Sequence, residues 1–125
     1  VLDDEPISRF MTQRGHFNST AVKPAAYMPN KNDGRLSVAR HNAEPKEESV
    51  RIAREDFRLE KTHGVALLEA KAFRSEGLDF EADDTPPRHA DVIGWPWGEQ
   101  DPELFKAQQK EKAAALAQQA KRIIF

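Results

Sequence analysis

Arginine, lysine and histidine recur through the first third of the chain and again near residue 88. They are Arg9, Arg14, His16, Lys23, Arg35, Arg40 and His41, followed later by Arg88 and His89. Arginine offers a bidentate fork to phosphate or carboxylate, and histidine can move a proton near neutral pH. This pattern predicts an anion-binding site. The residues predicted to bind the anion are Arg9, Arg14, Lys23 and Arg40. The alternative is that these cations are solvated or paired with the many acids of the surface.

Two of the histidines, His16 and His89, are candidates for a catalytic pair. Two histidines on facing strands can act as general base and general acid in RNA cleavage or cyclic phosphodiester hydrolysis, without a metal or a cysteine. The residues after each histidine do not supply two copies of the His-x-Ser/Thr pattern of two-histidine phosphoesterases. The alternative, which we favour, is structural: His89 hydrogen-bonds a turn and His16 caps a loop.

A weaker motif is Glu69-Ala70-Lys71, which follows an apolar run. It resembles the Glu-x-Lys of some magnesium-dependent nucleases, in which acids hold the ion and lysine orients the attacking water. Asp56 lies upstream as a second acid. The same spacing occurs on any half-exposed strand, so we predict neither a metal site nor a cofactor.

A partner-binding surface is the third kind of site that the residues suggest. Trp95 and Trp97 flank Pro96, and an apolar stripe that includes Phe105, Leu116 and Ile123 follows on the predicted C-terminal helix. Exposed tryptophans and an unpartnered helix stripe are typical of binding surfaces. The alternative is that the turn and the helix simply pack on the core.

The C-terminal helix is the clearest element. Asp101 is a helix N-cap residue, Pro102 suits the first helical position and Glu103 adds an acid to the first turn. About twenty residues rich in Ala, Gln, Lys and Leu follow. We expect this helix to continue through Ile123 and Ile124.

Alternating apolar and polar residues predict strands. Leu78, Phe80 and Ala82 alternate with acids, and shorter strands are predicted for residues 36–39 and 89–93. Residues 65–73 are compatible with a buried strand or a short helix, and the pattern leaves this choice open.

Three further segments precede or connect these strands. Ile7, Phe10, Met11 and Arg14 recur at helical spacing, which predicts a short helix before Gly15. Residues 16–28 are predicted to be an extended edge segment because of Pro24, and residues 45–59 a helix with an acidic first turn.

Length and composition predict a single domain spanning residues 1–125, with a thin core and a charged surface. Apolar residues make up 38% of the chain and charged residues 32%. The net charge of -2 provides no global attraction for nucleic acid or an anionic membrane. The chain has no cysteine and no apolar leader, so we expect a cytoplasmic protein that does not enter a membrane. Together the elements predict an α+β fold: a small, mostly antiparallel sheet flanked by helices.

Four patches resemble a family of short uncharacterised bacterial proteins. The patches are Ile7-Ser8-Arg9-Phe10, Val22 to Pro29, Leu36-Ser37-Val38-Ala39-Arg40 and His89 to Pro96. The resemblance implies a bacterial cytosolic setting but no activity, cofactor or site residue.

Three hypotheses of function follow, and we favour the first. It is a binding or regulatory protein that engages a protein partner through Trp95, Trp97, Leu116 and Ile123. The second is a phosphoester-processing enzyme or RNase-like toxin that uses histidine and arginine on an anionic ligand, and it requires those side chains to meet in one cleft. The third is a metal-dependent nuclease around Glu69 and Lys71.

Overall fold

The computed structural model describes residues 1–41 and 46–125. The strands are β1 Pro6–Met11, β2 Leu36–Arg40, β3 Gly64–Glu69, β4 Asp79–Ala82, β5 His89–Ile93 and β6 Lys121–Ile124. The helices are α1 Lys46–Arg51, α2 Ala70–Ser75 and α3 Pro102–Gln119. Short helical segments lie at Arg14–His16 and Pro24–Tyr27, both 3-10 turns, and at Ile52–Asp56, a π-helical continuation of α1.

The strands form one six-stranded sheet in the order β4-β5-β2-β1-β3-β6, and every neighbouring pair is antiparallel. The predicted α+β class, mostly antiparallel sheet and long C-terminal helix are therefore confirmed. Because successive side chains of a strand point to opposite faces, the registers divide the residues between two faces.

One face of the sheet carries the main core, and we call it the α3 face. Ile7, Val38 and Val92 project from it and are at most 1% exposed. The 3-10 turn Pro24–Tyr27, α2 and α3 cover them with a second layer of buried side chains. That layer consists of Ala26, Tyr27, Phe73, Ala113, Leu116 and Ala117. Tyr27 and Phe73 meet edge to face at 5.9 Å, a favourable aromatic geometry.

The opposite face, the α1 face, is only partly covered. Phe10, Ala39 and Val65 pack there against Ile52 and Ala53 of the α1 segment. Phe57 closes this smaller core with its ring 5.2 Å from that of Phe10. Beyond this cluster, towards β5 and β4, the α1 face carries mostly polar side chains.

The helix predicted for Ile7 to Arg14 is wrong, because this segment forms β1 and a following 3-10 turn. Spacing of 7, 10 and 11 suits a helix face, but it also suits a strand buried on both sides. Ile7 and Met11 enter the α3 face while Phe10 enters the α1 face. A strand at the centre of a sheet covered on both faces loses the simple alternation that would identify it.

The edge segment predicted for residues 16–28 is also wrong. The segment folds into the end of one 3-10 turn, an isolated bridge between Phe17 and Val22, and a second 3-10 turn that Pro24 begins. Proline lacks a backbone N–H, so the first position of a helical turn suits it as well as a sheet edge.

The ambiguous run 65–73 contains both elements, because β3 ends at Glu69 and α2 begins at Ala70. The helix predicted for residues 45–59 is present from Lys46 as α1 and its π-helical continuation, while Pro45 lies outside the described residues. The strands predicted for residues 36–39, 78–82 and 89–93 correspond to β2, β4 and β5.

The C-terminal helix begins as predicted, with the Asp101 carboxylate accepting a hydrogen bond from the Leu104 N–H at 3.2 Å. It ends earlier than predicted, at Gln119. Ile123 and Ile124 belong to β6, an edge strand paired with β3. In this pairing the backbone of Ile123 approaches Gly64 so closely that a Cβ on the glycine would lie 2.3 Å from the Ile123 carbonyl oxygen. The absence of a side chain at Gly64 admits the edge strand.

Among the helices of the described residues, none combines the length and apolar character needed to cross a bilayer.

Candidate functional site

Trp97 is the most exposed aromatic side chain held in a defined position. Its side chain lies against Gly34, where an added Cβ would come within 2.5 Å of the Trp97 Cγ. The indole Nε1 donates a hydrogen bond to the Lys31 carbonyl oxygen at 3.2 Å. Nevertheless the residue is 48% exposed. The indole is thus a fixed apolar platform facing solvent.

This platform forms one wall of a pocket of about 310 Å³ between the loop before β2 and the start of α3. The lining residues are Met28, Pro29, Lys31, Trp97, Gly98, Pro102, Phe105, Lys106 and Gln109. Gln109 fixes the floor by donating from Nε2 to the Pro96 carbonyl oxygen at 2.6 Å. Within the described residues, the only charged side chains lining this pocket, hereafter the Trp97 pocket, are Lys31 and Lys106. It therefore combines apolar walls with positive charge.

The four residues predicted to bind a partner do not lie on one surface. Trp97 is exposed, but Trp95 is 6% exposed and Leu116 is fully buried, and both belong to the main core. Ile123 lies on β6 and packs against the smaller cluster on the α1 face. Burial therefore gives Trp95 and Leu116 structural roles.

Sequence reasoning missed most of the Trp97 pocket. Phe105 was part of the predicted apolar stripe, and its position one turn after the Asp101 cap was the available signal. Met28, Pro29 and Lys31 precede Trp97 by more than sixty residues, and the hydrogen bond from Trp97 to Lys31 spans 66 positions. Local sequence patterns do not report contacts at that separation.

His16 and Arg9 lie close together, away from His89. Arg9 projects from the α3 face, and its guanidinium donates to the carbonyl oxygens of Ala26 at 2.8 Å and Ser37 at 3.0 Å. These bonds attach the 3-10 turn to the sheet, so Arg9 has a clear structural role. His16 is 6% exposed. Burial, with the positive charge of Arg9 and the neighbouring His63, lowers the pKa of His16 from 6.5 to about 4.

His89 projects from the α1 face, because it pairs with Ala39, whose side chain enters the core on that face. Its Nδ1 lies 2.7 Å from an Asp83 oxygen and its Nε2 lies 3.0 Å from the Ser37 hydroxyl. Arg9 and His89 thus lie on opposite faces of the sheet. The predicted pairing of His16 with His89 as general base and acid is not formed.

The predicted anion-binding residues also fail to meet. Arg40 pairs with Ile7 near the start of β1, whereas Arg14 lies beyond Met11 at the end of the strand. Ile7 and Met11 are about 13 Å apart along the strand, at about 3.3 Å per residue. Arg40 donates from Nε to Glu5 at 2.5 Å. Arg14 and Lys23 are exposed. The structure does bring Arg40 beside Arg88, whose carbonyl accepts the Arg40 N–H at 2.7 Å, but Glu5 and Asp84 line the same hollow.

Glu69 and Lys71 form an ion pair with each other at 3.0 Å, and both side chains are about half exposed or more. Asp56 instead faces Arg51 at 3.6 Å. In residues 1–41 and 46–125, no three His, Asp or Glu side chains are placed to hold a metal ion. The arrangement offers no observation in favour of a magnesium-dependent nuclease.

Comparisons of the chain with protein-family models, with curated proteins and with solved structures give no match.

Proposed function

We propose that the protein is a binding module that captures an acidic segment of a partner protein, with an apolar side chain of that segment seated in the Trp97 pocket. The observation that carries the proposal is the exposed, fixed indole of Trp97 in a pocket that Lys31 and Lys106 also line. Aromatic residues held in one conformation lose little entropy on binding, which makes them effective anchors.

The apolar walls supply the attraction for an apolar anchor. Phe105, Met28, Pro29 and Pro102 surround the indole, and a pocket of about 310 Å³ accommodates one large side chain. Covering the exposed half of a tryptophan removes on the order of 100 Å² from water, which contributes about 2 kcal/mol.

The two lysines favour a partner segment that carries negative charge. The whole chain has a net charge of -2, so long-range attraction does not favour an acidic ligand. At the pocket itself, however, Lys31 and Lys106 provide positive charge, and a carboxylate of the ligand could approach an ammonium group there. Complementary charges of this kind select the partner and its orientation more than they add affinity.

The proposal includes a bacterial cytoplasm as its setting. The resemblance of four sequence patches to short bacterial proteins and the lack of cysteine support this part. The affinity expected of one anchored segment is modest, which suits a regulatory interaction that forms and dissociates readily.

The test is a fluorescence-polarisation screen with a library of labelled short peptides. Each peptide carries one Trp, Phe, Leu or Pro anchor flanked by Glu and Asp, and a matched set carries Lys instead. We expect the acidic set to bind selectively. We also expect Trp97→Ala to abolish binding and the double variant K31E/K106E to weaken it about fivefold, because the rim charges are worth roughly 1 kcal/mol together.

The matched control is the double variant K61E/K110E, which reverses two exposed lysines outside the pocket. Binding that K31E/K106E and K61E/K110E weaken equally would contradict the proposal, because it would reflect net charge alone. Equal binding of the acidic and basic peptide sets would also overturn it.

A further inference from the structure

We propose that Ser37, His89 and Asp83 form a nucleophilic site on the α1 face that accepts an acyl group from activated esters. The three side chains form a hydrogen-bonded chain in the order nucleophile, base and orienting carboxylate. This arrangement is recognised by its geometry and not by the fold or the order of residues along the chain. The proposal is independent of the Trp97 pocket.

The proton positions in this chain follow from chemistry. An ionised Asp83 carboxylate can only accept, so the Nδ1 of His89, at 2.7 Å, carries the hydrogen and donates it. The Nε2 of a neutral His89 is then an acceptor, and the Ser37 hydroxyl at 3.0 Å donates to it. The histidine is thus in the tautomer that can remove a proton from Ser37.

Sheet register positions the nucleophile and the base. Ser37 pairs with Asp91 on β5, and His89 pairs with Ala39 on β2, so Ser37 and His89 are diagonal neighbours on one face. Ser37 is exposed, while the His89 side chain is only 13% exposed. Phe57 packs on the imidazole with ring centroids 6.0 Å apart. The base is held in place and the nucleophile is accessible to a substrate.

Backbone contacts hold Asp83 in place beside the histidine. It follows β4, and its carboxylate accepts the backbone N–H of Thr85 at 3.0 Å, while its own N–H points to the His89 carbonyl. The Thr85 N–H and His89 lower the pKa of Asp83 below its ordinary value, so the carboxylate is ionised at neutral pH. These contacts fix the carboxylate on the Nδ1 side of the ring.

A second carboxylate lies on the other side of the imidazole. Asp91 is 3.4 Å from Nε2, and it also contacts the Nε of Arg35 at 3.1 Å. Arg35 contacts Glu81 as well, at 2.9 Å, and lies two residues before Ser37 on the same face. The cation offsets the acids next to Ser37.

The reaction requires no co-reactant other than water. The Ser37 oxygen bonds to the ester carbonyl carbon while its proton passes to His89 Nε2, and Asp83 stabilises the imidazolium. The C–O bond to the leaving group then breaks, and the leaving oxygen takes the proton from Nε2. Water, activated in turn by His89, hydrolyses the acyl-serine and regenerates the hydroxyl. Because Ser37 is exposed to solvent, we expect the site to act on esters that have a good leaving group.

The first test uses p-nitrophenyl butyrate and a fluorophosphonate probe, which forms a Ser–P bond with loss of fluoride. We expect an ester-hydrolysis burst and a probe adduct located on Ser37 by peptide mass spectrometry. Ser37→Ala should abolish the burst and the adduct, because alanine has no nucleophilic oxygen. His89→Ala should lower both rates by about a hundredfold, the usual effect of losing acid–base catalysis. The matched control is Ser19→Ala, which removes an exposed serine outside the site.

Asp83 is tested as a positioning residue by Asp83→Ala, with formate added to the assay. We expect a slow variant whose rate formate restores several-fold, because the side chain is half exposed and a free carboxylate can replace it. A purely structural role would not respond to formate. A wild-type rate no higher than that of Ser37→Ala, or an adduct on Ser19 in place of Ser37, would overturn the proposal. Circular dichroism confirms that each variant is folded.

Discussion

At the scale of single residues, the same chemical group serves different roles according to its surroundings. His16 and His89 each have an arginine within two residues in the sequence, yet His16 is buried beside Arg9 while His89 contacts Asp83 and Ser37. Burial next to a cation favours the neutral imidazole, whereas a carboxylate partner orients the ring for proton transfer. Residue type suggested candidates, but the environment decided which histidine can act as a base.

The pKa of His16 predicts how stability depends on pH. As pH falls below 6.5 the histidine of the unfolded chain binds a proton, while the folded protein resists protonation until about pH 4. His16 therefore leaves the free energy of unfolding unaffected above pH 6.5 and lowers it as pH falls from 6.5 to about 4. We expect a loss on the order of 3 kcal/mol over this window, since each pKa unit corresponds to about 1.4 kcal/mol. Urea unfolding at several pH values measures it.

His16→Gln should flatten this dependence. Burial and Arg88 also lower the pKa of His41, so a smaller slope remains in the variant. Arg14→Gln is the control, because it changes an exposed neighbour and should keep the full slope. An unchanged slope in His16→Gln would show that this histidine is not the responsible group.

At the scale of elements, α3 shows how local signals start a helix without deciding where it ends. Asp101 and Pro102 begin it as expected, whereas Ala120 is already extended and the chain continues as β6. Ile123 and Ile124 have branched side chains that favour strands, and the edge of β3 offers free backbone groups. A pairing with a strand more than fifty residues away overrode the helical pattern.

The cap of α3 supports a second prediction. Asp101→Ala should destabilise the protein by about 1 kcal/mol, because it leaves the Leu104 N–H without its side-chain acceptor. Asp101→Asn is the matched control and should stay close to wild type, since asparagine also caps helices. Thermal unfolding followed by circular dichroism compares the two. If both variants lose the same stability, charge and not capping is the cause.

At the scale of the whole molecule, the sheet separates three groups of residues. The main core lies on the α3 face, Ser37, His89 and Asp83 lie beside the smaller core on the α1 face, and the Trp97 pocket lies at the start of α3. This arrangement divides the residues predicted to bind a partner between core and surface. Truncating a core residue should therefore mainly lower stability, whereas truncating a residue of the Trp97 pocket should mainly lower peptide binding.

Leu116→Ala and Trp97→Ala test this division. Leu116 is fully buried, so its truncation should cost about 3 kcal/mol through lost contacts and a residual cavity. Trp97→Ala removes a half-exposed side chain and should lower stability by less while abolishing peptide binding. Urea unfolding and the polarisation assay measure the two effects. A larger loss of stability in Trp97→Ala than in Leu116→Ala would contradict this assignment.

What the sequence by itself determined was local. The N-cap of α3 and the alternation of β4 depend on residues within a few positions, and the predicted strands and helices together were sufficient for the α+β class. The tertiary structure decided whether residues 7–11 form a helix or a strand, because burial on both faces hides the period. It also decided both candidate sites, since Ser37 meets His89 across 52 positions and Trp97 meets Lys31 across 66. Such contacts depend on strand register and layer packing, which short-range patterns do not specify.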